Sequence, residues 1–66
     1  MTLRALKQAL SAELGSDTSF RFINTRLILR TGIDLQRVGD DELTPERLST
    51  VRKELQEMGF LRGFHE

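Results

Sequence analysis

The stretch Asp17-Thr18-Ser19-Phe20-Arg21-Phe22-Ile23-Asn24-Thr25-Arg26-Leu27-Ile28-Leu29-Arg30-Thr31-Gly32 decides the fold. Its residue types favour strands: phenylalanine, isoleucine, leucine and threonine dominate it. One reading is a β-hairpin at residues 19–30, turning at Asn24-Thr25. Asn-Thr suits a two-residue hairpin turn poorly, because threonine resists positive φ. The other reading is a helix. Phe20, Ile23 and Leu27 then share one face. Gly32 stands where a left-handed residue closes a helix, and Ile28 and Ile33 are placed to meet in a Schellman closure. The spacing predicts the helix. Phe22 and Leu29 fall on the side opposite Phe20 and Leu27, so the helix is apolar on two faces. Such a helix is either central in its own fold or covered by a partner.

Both flanks are helical. Towards the C-terminus, residues 43–61 carry punctuation at each end. Thr44 is the N-cap, Pro45 takes the first helical position, and Glu46 sits near the positive end of the dipole. Leu43 and Leu48 occupy the positions of a hydrophobic staple. Leu48, Val51, Leu55 and Met58 form one stripe. Gly59 closes the helix and sets Phe60 against Leu55. Towards the N-terminus, Thr2 caps a helix striped by Leu3, Leu6, Leu10 and Leu14, which Gly15 stops. Between the second and third helices, Ile33, Leu35 and Val38 are expected to tuck under the helices, with Asp34 capping a short turn that ends at Gly39. Residues 62–66 are expected to fray. The fold expected is all-α: a single small three-helix domain over residues 1–66, with an ordered connector before the third helix. The alternative is α+β, two helices with a β-hairpin at residues 19–30.

Sixty-six residues allow one domain with a thin core. The absence of cysteine excludes disulfides and thiolate metal sites. No signal-like apolar run or membrane span stands in the sequence, and a cytoplasmic location is expected. Ten basic and ten acidic residues give zero net charge. Residues 1–32 carry five basic and two acidic groups, 5 − 2 = +3, and residues 33–66 carry five and eight, 5 − 8 = −3. The imbalance reads either as attraction between the halves or as a basic face for an acidic partner.

No catalytic constellation is visible, and the chain is not expected to be an enzyme or to take a cofactor or small-molecule substrate. His65, the single histidine, sits beside the end without a rigid scaffold. Ser49 has no base near it in sequence. Asp40-Asp41-Glu42 lacks the alternation and distant glutamate of a calcium loop, and three acids before a helix answer its dipole. The glycines are too dispersed for a phosphate loop.

The candidate partner-binding residues are Phe22, Arg26, Leu29, Arg30 and Arg37. Arg26 and Arg30 stand four apart, where like charges repel, and Arg37 follows in the connector. Arginine outnumbers lysine eight to two, and its fork suits carboxylates and phosphates. Within the domain, Asp34, Asp40, Asp41 and Glu42 are the carboxylates that would neutralise these arginines.

Residues 49–61, with a Thr-Val-Arg start and a Gly-Phe-Leu exit, resemble the recognition helix and following strand of winged helix-turn-helix regulators. In that motif the preceding helix ends about three or four residues earlier. Here Pro45-Glu46-Arg47-Leu48 runs on into the same helix, and only residues 61–66 remain for a wing, so the family is not assigned. Two functions follow as expectations. The first is a protein-interaction module: an adaptor, regulator or subunit, with another protein or a second copy as partner. The alternative is a DNA-binding helix-turn-helix regulator using Arg26, Arg30, Arg47, Arg52 and Lys53. Zero net charge weighs against nucleic acid, since phosphate neutralisation dominates such binding.

Overall fold

The computed structural model describes residues 1–64. It holds three helices, α1 (Leu3–Leu14), α2 (Asp17–Thr31) and α3 (Pro45–Glu57), and no strand among the described residues. The protein is all-α, and the hairpin alternative does not occur.

Each helix starts at a hydroxyl. Thr2 accepts from the Ala5 amide at 3.1 Å, Ser16 from Ser19 at 3.2 Å, and Thr44 from Arg47 at 3.2 Å. Each bond satisfies an amide that the helix itself leaves without a partner. Gly15 alone separates the end of α1 from the cap of α2, so the first two helices form a tight pair.

The strand-favouring residues of α2 are accommodated in helical form. The Thr25 hydroxyl donates to the Arg21 carbonyl and that of Thr31 to Leu27, both at 2.9 Å, bonds to the preceding turn that threonine makes readily. The closure differs from the Schellman expectation. Gly32 does adopt φ +77°, and its amide bonds the Ile28 carbonyl at 2.8 Å. The next amide, that of Ile33, goes to the Thr31 hydroxyl at 3.2 Å. The cap is therefore the simpler single-bond left-handed form, because a side-chain oxygen takes the amide a Schellman closure would use. The end of α3 does carry both Schellman bonds, Phe60 to the Leu55 carbonyl and Gly59 to that of Gln56.

The core gathers one stripe from each helix: Leu3, Leu6 and Leu10; Ile23 and Leu27; Leu48, Val51 and Leu55. Ile33 and Leu35 of the connector join it, with Val38 packed alongside. α2 lies at the centre, packed against both α1 and α3. One buried polar side chain, Asn24, fastens the connector to it. Its amide nitrogen donates to Asp34 Oδ1 at 2.7 Å, and its oxygen accepts from the Leu35 amide at 2.9 Å. Asp34 caps the turn as expected, taking the Gln36 amide on its side chain and the Arg37 and Val38 amides on its carbonyl. Lys7 ties the same turn to α1 through the Val38 carbonyl.

The expected fraying from residue 62 is not what residues 61–64 do. Gln56 Nε2 donates to the Leu61 and Phe64 carbonyls, and Glu13 accepts from the Leu61 amide at 2.8 Å. Leu61 is buried at φ +58°, a conformation that leucine holds only where its surroundings enforce it. His65 and Glu66 lie outside the described residues.

Candidate functional site

α2 buries one apolar face and leaves the other bare. Leu27 is fully buried, whereas Phe22 is 65% exposed and Leu29 82% exposed. Besides Met1, they are the large apolar side chains standing exposed among the described residues. Seven residues of helix place them about 10 Å apart on one side. Thr18 and Thr25, both exposed, complete the row.

Arginines border the row. Arg26 stands on one edge, four residues after Phe22 and three before Leu29. It is exposed, with no carboxylate within ion-pair distance among the described residues. Arg21 stands on the other edge, four residues before Thr25 and eight before Leu29, and is likewise exposed and without an ion pair among the described residues. No acidic residue occurs from Thr18 to Thr31. Beside Phe22 the apolar surface continues into a shallow groove lined by Leu14, Thr18, Ser19, Ile23 and Phe60.

The structure brings together Phe22, Arg26 and Leu29. Arg30 is on the same helix but turned towards α3, where its Nε meets Glu54 Oε2 at 2.6 Å. That hydrogen bond and the charge of Glu54 raise the Arg30 pKa. Arg37 does not join the face. Its turn is fastened to α2 through Asn24, on roughly the opposite side of the helix from Phe22 and Leu29. There Arg37 is 89% exposed, and its Nε lies 3.9 Å from Asp34. Neutralisation within the domain thus reaches Arg37 loosely through Asp34, and Arg30 through Glu54 rather than through the expected acids. Asp40, Asp41 and Glu42 are exposed and form no ion pair among the described residues. The Asp34 carboxyl is held below its ordinary pKa, first by the Asn24 hydrogen bond and then by the Gln36 amide.

Arg21, Leu14 and Phe60 are parts of this surface that the sequence reading passed over. Arg21 was within reach of the same helical spacing that singled out Arg26. The groove required knowing how the end of α3 returns to the α1–α2 corner.

Among the described residues no three His, Cys, Asp or Glu side chains are grouped to hold a metal ion, and no helix is long and apolar enough to cross a membrane. Comparison with protein-family models, with curated proteins and with solved structures gives no match for this chain.

Proposed function

We propose that this protein is a small non-enzymatic interaction module, an adaptor, regulator or subunit, whose contact surface is the outer face of α2. The observation that carries the reading is the exposure of Phe22 and Leu29 on a helix whose other face already fills the core. An apolar centre with an arginine rim is the anatomy of a protein interface.

Magnitudes set the size of the contact. Burying a Phe and a Leu yields about 1.5–3 kcal/mol each. Association costs roughly 4–15 kcal/mol in lost freedom and ordering. The two anchors alone fall short of a stable complex, so the interface extends into the groove beside Phe22 and over the arginine edges. A DNA-binding reading draws on the same exposed Arg21 and Arg26. It is the weaker one, because an apolar pair occupies the centre where phosphate or base contacts would lie. The connector at residues 32–44 also separates α2 from α3 by far more than a helix-turn-helix turn, which weighs against α3 as a recognition helix.

Site-specific photo-crosslinking in the organism that encodes the chain tests the proposal. A photoreactive residue at position 22 or 29 is expected to capture a discrete protein, and the same group at exposed Gln8 on α1 is not. Adducts no more frequent at 22 and 29 than at 8 would refute the α2 face. Capture of nucleic acid there would replace it with the DNA-binding reading.

A further inference from the structure

We infer that the partner of the α2 face is a helix of another protein, carrying an apolar stripe edged by glutamate or aspartate, and not a second copy of this chain. The inference rests on α2 being the docking face and adds the chemistry of what docks.

Charge carries the argument. Arg21 and Arg26 flank Phe22 and Leu29 from opposite sides, and α2 supplies no carboxylate to offset them from Thr18 to Thr31. Glu54, which reaches the helix from α3, is taken by Arg30. The face is therefore apolar along its middle and positive along both edges. An occupant with negative edges answers it, and one with positive edges is repelled.

A second copy has the wrong edges. A twofold axis through the centre of the row, between Thr25 and Arg26, places Phe22 opposite the other copy's Leu29. The same operation sets each edge of the row against its own counterpart, so the two Arg26 side chains come together at the axis on one side, while Arg21 lies on the other side and Arg30 stays turned to Glu54. The charged pair at the axis is like with like, and α2 holds no carboxylate from Thr18 to Thr31 to offset it. The exposed acids Asp40, Asp41 and Glu42 of a second copy offer the right charge. That contact joins two different surfaces, and it closes as a dimer only where one twofold arrangement makes it twice; otherwise it propagates into rings or chains of molecules.

A lipid surface is disfavoured by the narrowness of the row. Thr25 interrupts it and Thr18 ends it, and the opposite face of α2 is already buried in the core, whereas interfacial helices immerse a broad apolar side. A helical partner matches a straight row of four positions on a 15-residue helix, its own stripe at three- and four-residue spacing lying along Phe22 and Leu29.

The test uses the whole chain and two designed helical peptides matched to α2 in length, with identical leucine stripes. One is edged with glutamate and the other with lysine. Titration by fluorescence anisotropy is expected to show the glutamate-edged peptide binding at least about tenfold more tightly, with an affinity that falls as salt is raised. Arg21→Glu with Arg26→Glu is expected to reverse the preference, and Phe22→Ser to abolish binding of either peptide. Equal or weaker binding of the glutamate-edged peptide, no binding included, overturns the inference. So does a wild-type dimer in sedimentation that Phe22→Ser dissolves, or Phe22-dependent binding to anionic vesicles stronger than to the peptide. A protein adduct at position 22 alongside such a result would leave the docking face standing and remove only its chemistry. Absence of any adduct would remove both.

Discussion

Asn24 shows how much one side chain fixes in a chain this small. It holds the connector to α2 by two hydrogen bonds while only 3% exposed. Removing it orphans the Leu35 amide in the interior, and a buried unsatisfied donor costs about 1–3 kcal/mol. Asn24→Ala is therefore expected to lower stability by about that amount in denaturant melts, and to speed hydrogen exchange at Leu35 more than at Val51. Equal protection of the Leu35 amide in both proteins would contradict the clamp. Asp34, the other member of the clamp, has its pKa depressed in the folded state. Its ionised form thus stabilises the fold above the ordinary carboxylate pKa, and that contribution is lost as pH falls towards the lowered value. The stability difference between wild type and Asp34→Asn is expected to be constant near neutral pH and to shrink in acid. A difference that grows on acidification would reverse the sign argued here. None of this clamp was legible in the sequence, where Asn24 stood out only as a turn residue. Hydrophobic periodicity encodes which face is buried, but not a side-chain amide reaching a backbone amide eleven positions away.

At the scale of elements, the helix ends were legible and the middle of α2 was ambiguous. Thr2, Thr44, Pro45, Gly32 and Gly59 announce their roles because caps depend on the residue at one position. The type of α2 turned on residues that satisfy strand and helix alike, and was settled by the left-handed glycine that follows it. That glycine makes a direct test. A Cβ at position 32 meets nothing within 4 Å, so the penalty of Gly32→Val is conformational rather than steric crowding by neighbours. A loss of more than about 1 kcal/mol is expected, since a β-branched residue resists φ near +77°. A neutral Gly32→Val would mean that α2 does not end there. In α3, Leu55 is fully buried and Lys53 is exposed without an ion pair among the described residues. Leu55→Ala is expected to cost about 2–5 kcal/mol and Lys53→Ala to stay within about 0.5 kcal/mol. Similar losses from both would displace the core stripe. The exposed Arg30–Glu54 pair crosses from α2 to α3, and pairs of that kind stabilise little. Glu54→Gln is expected to leave the melting temperature nearly unchanged, while a large drop would give the pair a structural weight denied to it here.

At the scale of the whole molecule, a 66-residue chain has little apolar surface to spare. Domains of about this size bury only about 60% of the surface their unfolded chains expose. Leaving Phe22 and Leu29 outside the core forgoes stability that a repacked core would supply, and the proposed docking face gives that exposure a use. The charges of the basic first half and the acidic second half are little matched to each other: among the described residues Arg30–Glu54 is the ion pair that joins them. The positive edges of α2 therefore remain available to a partner. The sequence displayed the two apolar faces of α2 and pointed to Phe22 and Leu29 as the outer one, but not to the groove beside Phe22, because that depends on where α1 and α3 pack. The most direct measurement is of solvent contact along α2 in the free protein. A soluble paramagnetic relaxation agent is added to the isotope-labelled chain, and broadening is read at the Leu27 methyls, the Leu29 methyls and the Phe22 ring. Strong broadening of Leu29 and Phe22, with Leu27 protected, is the result expected of a bare apolar face beside a buried one. Leu29 and Phe22 as protected as Leu27 would contradict it, showing that the chain or a second copy already covers the surface assigned to a partner.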